Sequence, residues 1–321
     1  MYNMDKLYEA VAERGHVCVG LDTAAEYIPE KEHRSSPAET VLAYNKAIID
    51  ATADTAACYK VQIAYYEEIG LAGLQTYAAT LKYLRGKGAL VIADIKRGDI
   101  ADTASRYARA HFEGDFEADF VTLSPYLGMD SIEPWLQWAQ KKGKGAFVLM
   151  RTSNKGRHDF ECRELVGQEP AGQEPSGQEP ARKSGQKLYD AVGDKLSQLA
   201  AACPGKYGYG AFGAVVGADP QSPQEREEAA AIRAERHNLF FLIPGYGAQG
   251  GAASDAALLL REGNGGVVNA SRSILKAWQS KAASANLKPS EADNAFAGTA
   301  AREAVIEMRD AIRKAAIVIK K

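Results

Sequence analysis

The chain has 321 residues, of which 46% are hydrophobic and 25% charged, as is typical of a globular protein with a sizeable core. This length suits one large domain or two ordinary ones. A formal net charge of −2 provides no overall field to attract nucleic acid or an anionic membrane, so we expect neither partner, and any anion-binding site must be local.

The N-terminal segment has acidic residues among its apolar ones and predicts a short amphipathic helix that leads into a strand. It lacks the basic start and uninterrupted apolar middle of a signal peptide, and no apolar run approaches the length that spans a bilayer. The four cysteines include no CxxC pair, which favours reduced thiols, and the five histidines show no ligand spacing. We therefore expect a cytosolic protein without a metal site.

Eight short apolar runs alternate along the chain with segments of helical periodicity. Because these runs are continuously apolar, they indicate strands covered on both faces, as in a parallel sheet. Eight strand–helix units predict a single α/β domain over 1–321, a (β/α)8 TIM barrel. A doubly wound open sheet is the alternative, since periodicity alone does not establish closure. The predicted strands are 16–22, 57–63, 89–96, 119–124, 145–151, 210–217, 239–245 and 266–271.

A five-residue unit, GQEPA or GQEPS, is repeated three times over 167–181, between the fifth strand and its helix. Proline and glycine at this density oppose a packed core, so we interpret about 158–184 as a flexible, solvated insertion. A functional lid is the alternative to a tolerated loop expansion. A second linker-like stretch, 280–294, precedes a long C-terminal helix predicted from about residue 297.

Polar residues recur at or near the C-terminal ends of the predicted strands. In a (β/α)8 barrel this rim carries the active site. Each of them alone could be an ordinary strand-end residue, but their convergence on one rim indicates a site. The six residues are Asp22, Asp94, Lys96, Ser124, Arg151 and Asn269.

The segment DIKRGDI places two acids and two bases directly after a buried run, where unpaired charge is costly. Asp94 and Lys96 share a strand face, and Lys60 on the preceding strand lies beside Asp94 in a barrel. With Asp99 they form an alternating array in which carboxylates flank each ammonium. A purely structural alternative is a Lys96–Asp94 salt bridge, with Asp99 capping the next helix.

The segment ADIKRGDIADT resembles the signature of the orotidine 5'-monophosphate decarboxylase family, and further matches extend along nearly the whole barrel. The chain length and the RTSN segment resemble its longer bacterial subfamily. The resemblance implies decarboxylation of orotidine 5'-phosphate (OMP) to UMP without a cofactor. It implies that Lys96 protonates C6 of the pyrimidine, within a catalytic tetrad whose other members are Lys60, Asp94 and Asp99. It also implies a homodimer in which Asp99 and Thr103 complete the neighbouring subunit's site.

The same resemblance assigns substrate-binding residues. Asp22 would contact the ribose, and Ser124 would face the pyrimidine. The motifs LIPGYGAQGG and NASRSIL match phosphate-binding loops after strands seven and eight, where glycine amides and an arginine also suit an oxyanion on chemical grounds. A glycine-rich turn and an exposed arginine are the simpler alternative. The residues assigned to these loops are Tyr246, Gly247, Gln249, Gly250 and Arg272.

Two other functions remain open. Mg²⁺-dependent keto-sugar-phosphate decarboxylases or aldolases of the same barrel superfamily share the DxKxxD motif, but they carry an acidic metal ligand on strand two, where this chain has Lys60. A lysine there would repel Mg²⁺. A non-catalytic phosphate-ligand-binding barrel is the second alternative. Retention of the whole charged array argues against it, because nothing would otherwise maintain buried charges.

Overall fold

Eight parallel strands close into a barrel in chain order, with the last strand paired to the first. This arrangement is seen in a computed structural model that describes residues 1–165, 185–247 and 251–319. It confirms the predicted (β/α)8 barrel and excludes the open sheet. The strands are β1 (Val17–Gly20), β2 (Cys58–Gln62), β3 (Val91–Arg97), β4 (Phe120–Leu123), β5 (Gly145–Arg151), β6 (Phe212–Val216), β7 (Phe241–Ile243) and β8 (Gly266–Ala270).

Helices alternate with the strands and cover the outside of the barrel, where their apolar faces join one large core. In the described residues, no helix is both long and apolar enough to cross a bilayer. The helices are α1 (Asn3–Arg14), α2 (Pro37–Thr52), α3 (Ala64–Glu67), α4 (Leu71–Gly86), α5 (Ala101–Phe112), α6 (Glu133–Lys142), α7 (Leu188–Ala202), α8 (Pro223–Glu235), α9 (Ala253–Leu258), α10 (Arg272–Leu275), α11 (Ala277–Ser284) and α12 (Asn294–Ile319).

The C-terminal helix α12 begins at Asn294, three residues before the predicted start. The earlier start has a local cause, because the Asp293 carboxylate accepts a hydrogen bond from the backbone N–H of Phe296 at 2.9 Å, as a helix N-cap does. Buried residues at helical spacing, including Ala297, Ala301 and Val305, face the barrel. The helix packs against α2, α9 and α11.

Helix α1 closes the N-terminal end of the barrel. Its apolar residues Met4, Leu7 and Val11 belong to the same buried cluster as inward-facing strand residues such as Cys18 and Phe147. This cluster fills the lower half of the barrel with apolar side chains. The charged residues of the predicted site lie at the opposite rim, at the carboxyl ends of the strands.

The GQEPA/S repeat lies outside the described residues, so its predicted character stays a prediction. The chain on either side of it is held together. The backbone N–H of Leu165 donates to the Gln186 carbonyl at 2.8 Å, and that of Leu188 donates to the Arg163 carbonyl at 2.9 Å. The two flanks therefore meet beside the end of β5.

His111 on α5 is a buried titratable group outside the rim. Its ring stacks on Phe116, and its Nδ1 has no hydrogen-bond partner among the described residues. Burial, aided by the positive charge of Arg97, lowers the pKa of His111 to about 4 from its usual 6.5. The unfolded chain therefore binds a proton that the folded chain does not. The stabilisation from neutral His111 is complete above pH 6.5 and is lost as the pH falls toward 4.

We predict that His111→Phe removes up to about 3 kcal/mol of the acid-induced loss in free energy of unfolding between pH 7 and pH 4. Urea unfolding at a series of pH values measures this difference. His237→Phe, at an exposed position, is the control and should leave the pH dependence unchanged. An identical pH dependence in His111→Phe and the wild-type chain would contradict the prediction.

Candidate active site

Four charged side chains form a row across the carboxyl ends of β1, β2 and β3. Lys60 Nζ donates to Asp22 Oδ1 at 3.0 Å and to Asp94 Oδ2 at 2.9 Å. Lys96 Nζ donates to Asp94 Oδ1 at 2.7 Å. Carboxylate and ammonium groups therefore alternate from Asp22 to Lys96 without a break, and Lys60 lies beside Asp94 as predicted.

The Asp94 carboxylate is saturated with hydrogen bonds. Besides the two lysines, Gln62 Nε2 donates to its Oδ2 at 3.1 Å and the Thr122 hydroxyl donates to its Oδ1 at 2.8 Å. Each carboxylate oxygen thus accepts two bonds, which is the capacity of the group. Burial by itself would raise the pKa of Asp94, but Lys60 and Lys96 hold that pKa well below its usual value. Asp94 is therefore a fixed negative charge.

The row runs from a buried centre to an open end. The side chains of Lys60 and Asp94 are only 6% and 7% exposed. Burial disfavours the Lys60 ammonium, yet the carboxylates of Asp22 and Asp94 keep the pKa of Lys60 above its usual value. At the far end, the Lys96 side chain is 48% exposed. A cation held by a buried carboxylate thus faces the space above the barrel.

Asp99 does not join this row within the chain. Its Oδ1 accepts a hydrogen bond from the backbone N–H of Ile100 at 2.8 Å, and Thr103 is exposed on α5. The helix-cap alternative for Asp99 is wrong, since α5 begins at Ala101 and the residue before it has no side-chain cap. Neither predicted contributor to a neighbouring site forms a hydrogen bond or ion pair with the row among the described residues.

A cavity of about 260 Å³ adjoins the Asp22 end of the row and continues to the loops after β7 and β8. Ser271 Oγ donates to Asp22 Oδ2 at 3.0 Å and fixes the boundary between the row and the cavity. The exposed Arg272 guanidinium forms no ion pair or hydrogen bond with any other described residue. The residues that line the cavity include Asp22, Tyr65, Gly245, Tyr246, Asn269, Ser271 and Arg272.

The loop after β7 folds back on itself beside this cavity. The backbone N–H of Gly247 donates to the Gly251 carbonyl at 3.0 Å, and that of Gly251 donates to the Gly245 carbonyl at 3.1 Å. Gly245 and Gly247 have φ of +101° and +70°, values that favour glycine. The predicted phosphate residues Gln249 and Gly250 lie outside the described residues.

Two rim residues have surroundings that the sequence did not indicate. Ser124 does not line the cavity, and no hydrogen bond of its side chain joins it to the described row; its backbone N–H donates to the Arg97 carbonyl at 2.8 Å. Its predicted contact with the pyrimidine stays a prediction. Arg151 is fully buried and pairs with Glu225, so it forms a structural ion pair between the end of β5 and the first turn of α8.

Sequence reasoning missed three residues that hold the row, namely Gln62, Thr122 and Ser271. Gln62 could have been found, because it lies two residues after Lys60 on the same strand face. Thr122 and Ser271 bond to residues far away in the chain, and no local pattern marks them. Among the described residues, no group of three or more His, Cys, Asp or Glu side chains is arranged to hold a metal ion.

Comparison with known proteins shows the family of the chain. Residues 15–287 match the family model described as Orotidine 5'-phosphate decarboxylase / HUMPS family. The chain belongs to this family. The orotidine 5'-phosphate decarboxylase of Clostridium perfringens is 52% identical over 313 residues, which cover 97% of this chain and 98% of that protein. The Clostridium acetobutylicum protein of the same name is 49% identical, with 97% and 99% covered.

Solved structures of this family have the same fold. The structure of Leishmania donovani OMP decarboxylase superimposes with a TM-score of 0.68 at 29% identity, covering 97% of this chain and 100% of that one. Leishmania donovani UMP synthase gives a TM-score of 0.71 at 31% identity and covers 98% of this chain but 57% of that one. The structural similarity and the sequence similarity to this family therefore both extend over nearly the whole chain.

We predict that Lys60→Met lowers the free energy of unfolding by about 3–5 kcal/mol at pH 7, because it leaves two carboxylates at a largely buried site without their shared cation. The loss should shrink as the pH falls, since Asp94 can then take up a proton. Urea unfolding measures both effects. Lys142→Met breaks an exposed pair with Glu113 and should cost less than about 1 kcal/mol. Equal losses in the two variants would contradict the prediction.

Proposed function

We propose that this chain decarboxylates OMP to UMP without a cofactor. The observation that carries the proposal is the row from Asp22 to Lys96, which fixes an ammonium group beside a buried carboxylate at the open rim. Full-length similarity to proteins named orotidine 5'-phosphate decarboxylase supports it. In the proposed pose the phosphate lies near Arg272 and the pyrimidine above Lys96.

The proposed reaction needs fixed charge at one carbon atom. When the C6–carboxylate bond breaks, CO₂ leaves and the electron pair stays in an in-plane orbital at C6, where the ring π-system cannot delocalise it. A preorganised cation beside C6 stabilises that charge without reorganisation. Lys96 Nζ then transfers a proton to C6 to give UMP. Because Lys96 is partly exposed, it can regain a proton from solvent after product release.

The phosphate end of the cavity has a separate task in this proposal. The Arg272 guanidinium, which has no ion-pair or hydrogen-bond partner among the described residues, suits a phosphate dianion. Tyr246, which is half-buried at the edge of the same cavity, can close over the bound nucleotide. Binding energy from a phosphate remote from C6 can be used to position the pyrimidine and exclude water.

The proposal includes a homodimer with shared sites. Asp99 and Thr103 do not bond to their own row among the described residues, and the partner subunit's Asp99 would reach Lys96 from the other side. The loops after the adjacent strands β3 and β4 carry exposed apolar side chains, namely Ile100, Tyr126 and Leu127, which are 52%, 79% and 50% exposed. Such side chains are typical of a surface that a second protein covers.

We place the enzyme in the cytosol. All four cysteines are unpaired, and three of them are buried. Unpaired cysteines persist in a reducing compartment, whereas secreted proteins usually form disulfides.

We predict that Lys96→Ala lowers kcat for OMP by at least about 10³-fold, since the variant lacks both the cation beside C6 and the proton donor. The loss of OMP absorbance measures turnover, and isothermal titration calorimetry measures the Kd for UMP, which should change little. Lys155→Ala removes an exposed lysine from the loop after β5 and serves as the control.

Two outcomes would contradict this assignment. Substantial turnover by Lys96→Ala would exclude Lys96 as the proton donor. A wild-type activity that EDTA abolishes and added Mg²⁺ restores would favour the Mg²⁺-dependent keto-sugar-phosphate enzymes of the same superfamily.

We predict that mixing inactive Asp99→Ala and Lys96→Ala chains restores activity. In each heterodimer one of the two sites regains both residues, so random exchange should restore about a quarter of the wild-type activity. A mixture of Lys60→Ala and Lys96→Ala is the control, because both residues belong to the same chain's half of the site and no intact site forms. No recovery, with subunit exchange demonstrated by native mass spectrometry, would refute shared sites.

A further inference from the structure

Thr122 on β4 makes three hydrogen bonds beneath the row. Its side chain is buried, with 1% of the residue exposed. Its Oγ1 accepts from two successive backbone amides, those of Ile95 at 3.0 Å and Lys96 at 2.9 Å, and donates to Asp94 Oδ1 at 2.8 Å. A hydroxyl has one proton and two lone pairs, so these bonds use its whole capacity.

These bonds lie where the pairing of β3 with β4 is interrupted. Ala93 pairs with Val121, and the next pair is Arg97 with Leu123, so β3 advances by four residues while β4 advances by two. The extra residues form a bulge whose amides cannot all reach backbone carbonyls of β4. An unpaired amide in this interior would cost about 1–3 kcal/mol. The Thr122 hydroxyl supplies an acceptor for two of them.

The bulge also holds Lys96 in an unusual backbone conformation, with φ of +43°. A side chain other than glycine in this left-handed region is disfavoured by about 1 kcal/mol or more, so the surroundings must hold it there. Thr122 bonds to the amide of Lys96 itself. It also fixes Asp94 Oδ1, the same oxygen that Lys96 Nζ contacts. One hydroxyl therefore restrains both members of the Lys96–Asp94 pair.

We propose that Thr122 is a positioning residue for the decarboxylation. It stabilises the bulge that directs Lys96 toward C6, and it fixes the carboxylate oxygen against which the ammonium rests. Thr122 lies below the rim and does not line the cavity, so it acts through Lys96 and Asp94 rather than on the substrate. The inference rests on the proposed function, since positioning is defined by the reaction of Lys96.

A merely structural threonine gives a useful comparison. Thr52 at the end of α2 is equally buried, and its hydroxyl donates to the Ile48 carbonyl at 2.7 Å and pairs with the Tyr59 hydroxyl at 2.7 Å. It touches none of the four charged residues of the row. Removal of this hydroxyl should lower stability alone.

The test compares Thr122→Val, Thr122→Ser and Thr52→Val in the full chain. Valine keeps the shape of threonine without the hydroxyl, and serine keeps the hydroxyl. We expect Thr122→Val to lower kcat for OMP by about 10–100-fold, with KM and the Kd for UMP within about threefold of wild type. Thr122→Ser should retain kcat within about threefold. Thr52→Val should lower Tm, as Thr122→Val does, but keep kcat.

Several results would overturn the inference. One is an unchanged kcat in folded Thr122→Val. Another is a Thr122→Val variant whose KM rises or whose UMP binding weakens while kcat is unchanged. A third is a Thr122→Ser variant as impaired as Thr122→Val. If the valine variant does not fold, Thr122→Ala replaces it. If neither folds while Thr122→Ser is fully active, the hydroxyl serves folding and the inference fails. An inactive wild-type chain would refute the proposed function and this inference with it, whereas an active wild type with a fully active Thr122→Val would refute this inference alone.

Discussion

The Asp94 carboxylate is the group on which the rest of the site depends. A buried carboxylate without partners would take up a proton, so its charge depends on the two lysines that bond to it. Lys60 in turn stays protonated in a buried position because Asp94 and Asp22 flank it. Loss of one member leaves its neighbours as uncompensated charges. The row therefore behaves as one electrostatic unit, with Lys96 as its exposed end.

The closed barrel creates this unit and joins it to the cavity. Parallel pairing sets Gly20 opposite Lys60 on adjacent strands and Gln62 opposite Asp94 on the next pair, so the charged groups meet at one level of the rim. Pairing of β8 with β1 completes the circle and brings Ser271 against Asp22. In a doubly wound open sheet the first strand would not pair with the last. Closure thus places the loops after β7 and β8 beside the charged row.

The sequence predicted what depends on local pattern and on strand order. All eight strands and the contact of Lys60 with Asp94 are confirmed, because continuous apolar runs and adjacent parallel strands determine them. The closure is confirmed too, but the pairing of β8 with β1 decides it and periodicity does not. The Thr122 bonds were not predictable, since they depend on a register shift that no local pattern marks. Arg151 was placed correctly at a strand end, but its partner Glu225 follows 74 residues later, and only the fold reveals their pairing. The predicted role of Asp99 lies in the site of a neighbouring subunit, so a single chain does not test it.

Neutron diffraction from a deuterated crystal at neutral pH tests the central claim most directly, because it locates the protons of the row. We predict three deuterons on Lys60 Nζ, none on the Asp94 carboxylate, and a Thr122 hydroxyl deuteron directed at Asp94 Oδ1. A deuteron on Asp94, or a neutral amine at Lys60, would contradict the account, because the fixed charges that it assigns to the rim would then be absent.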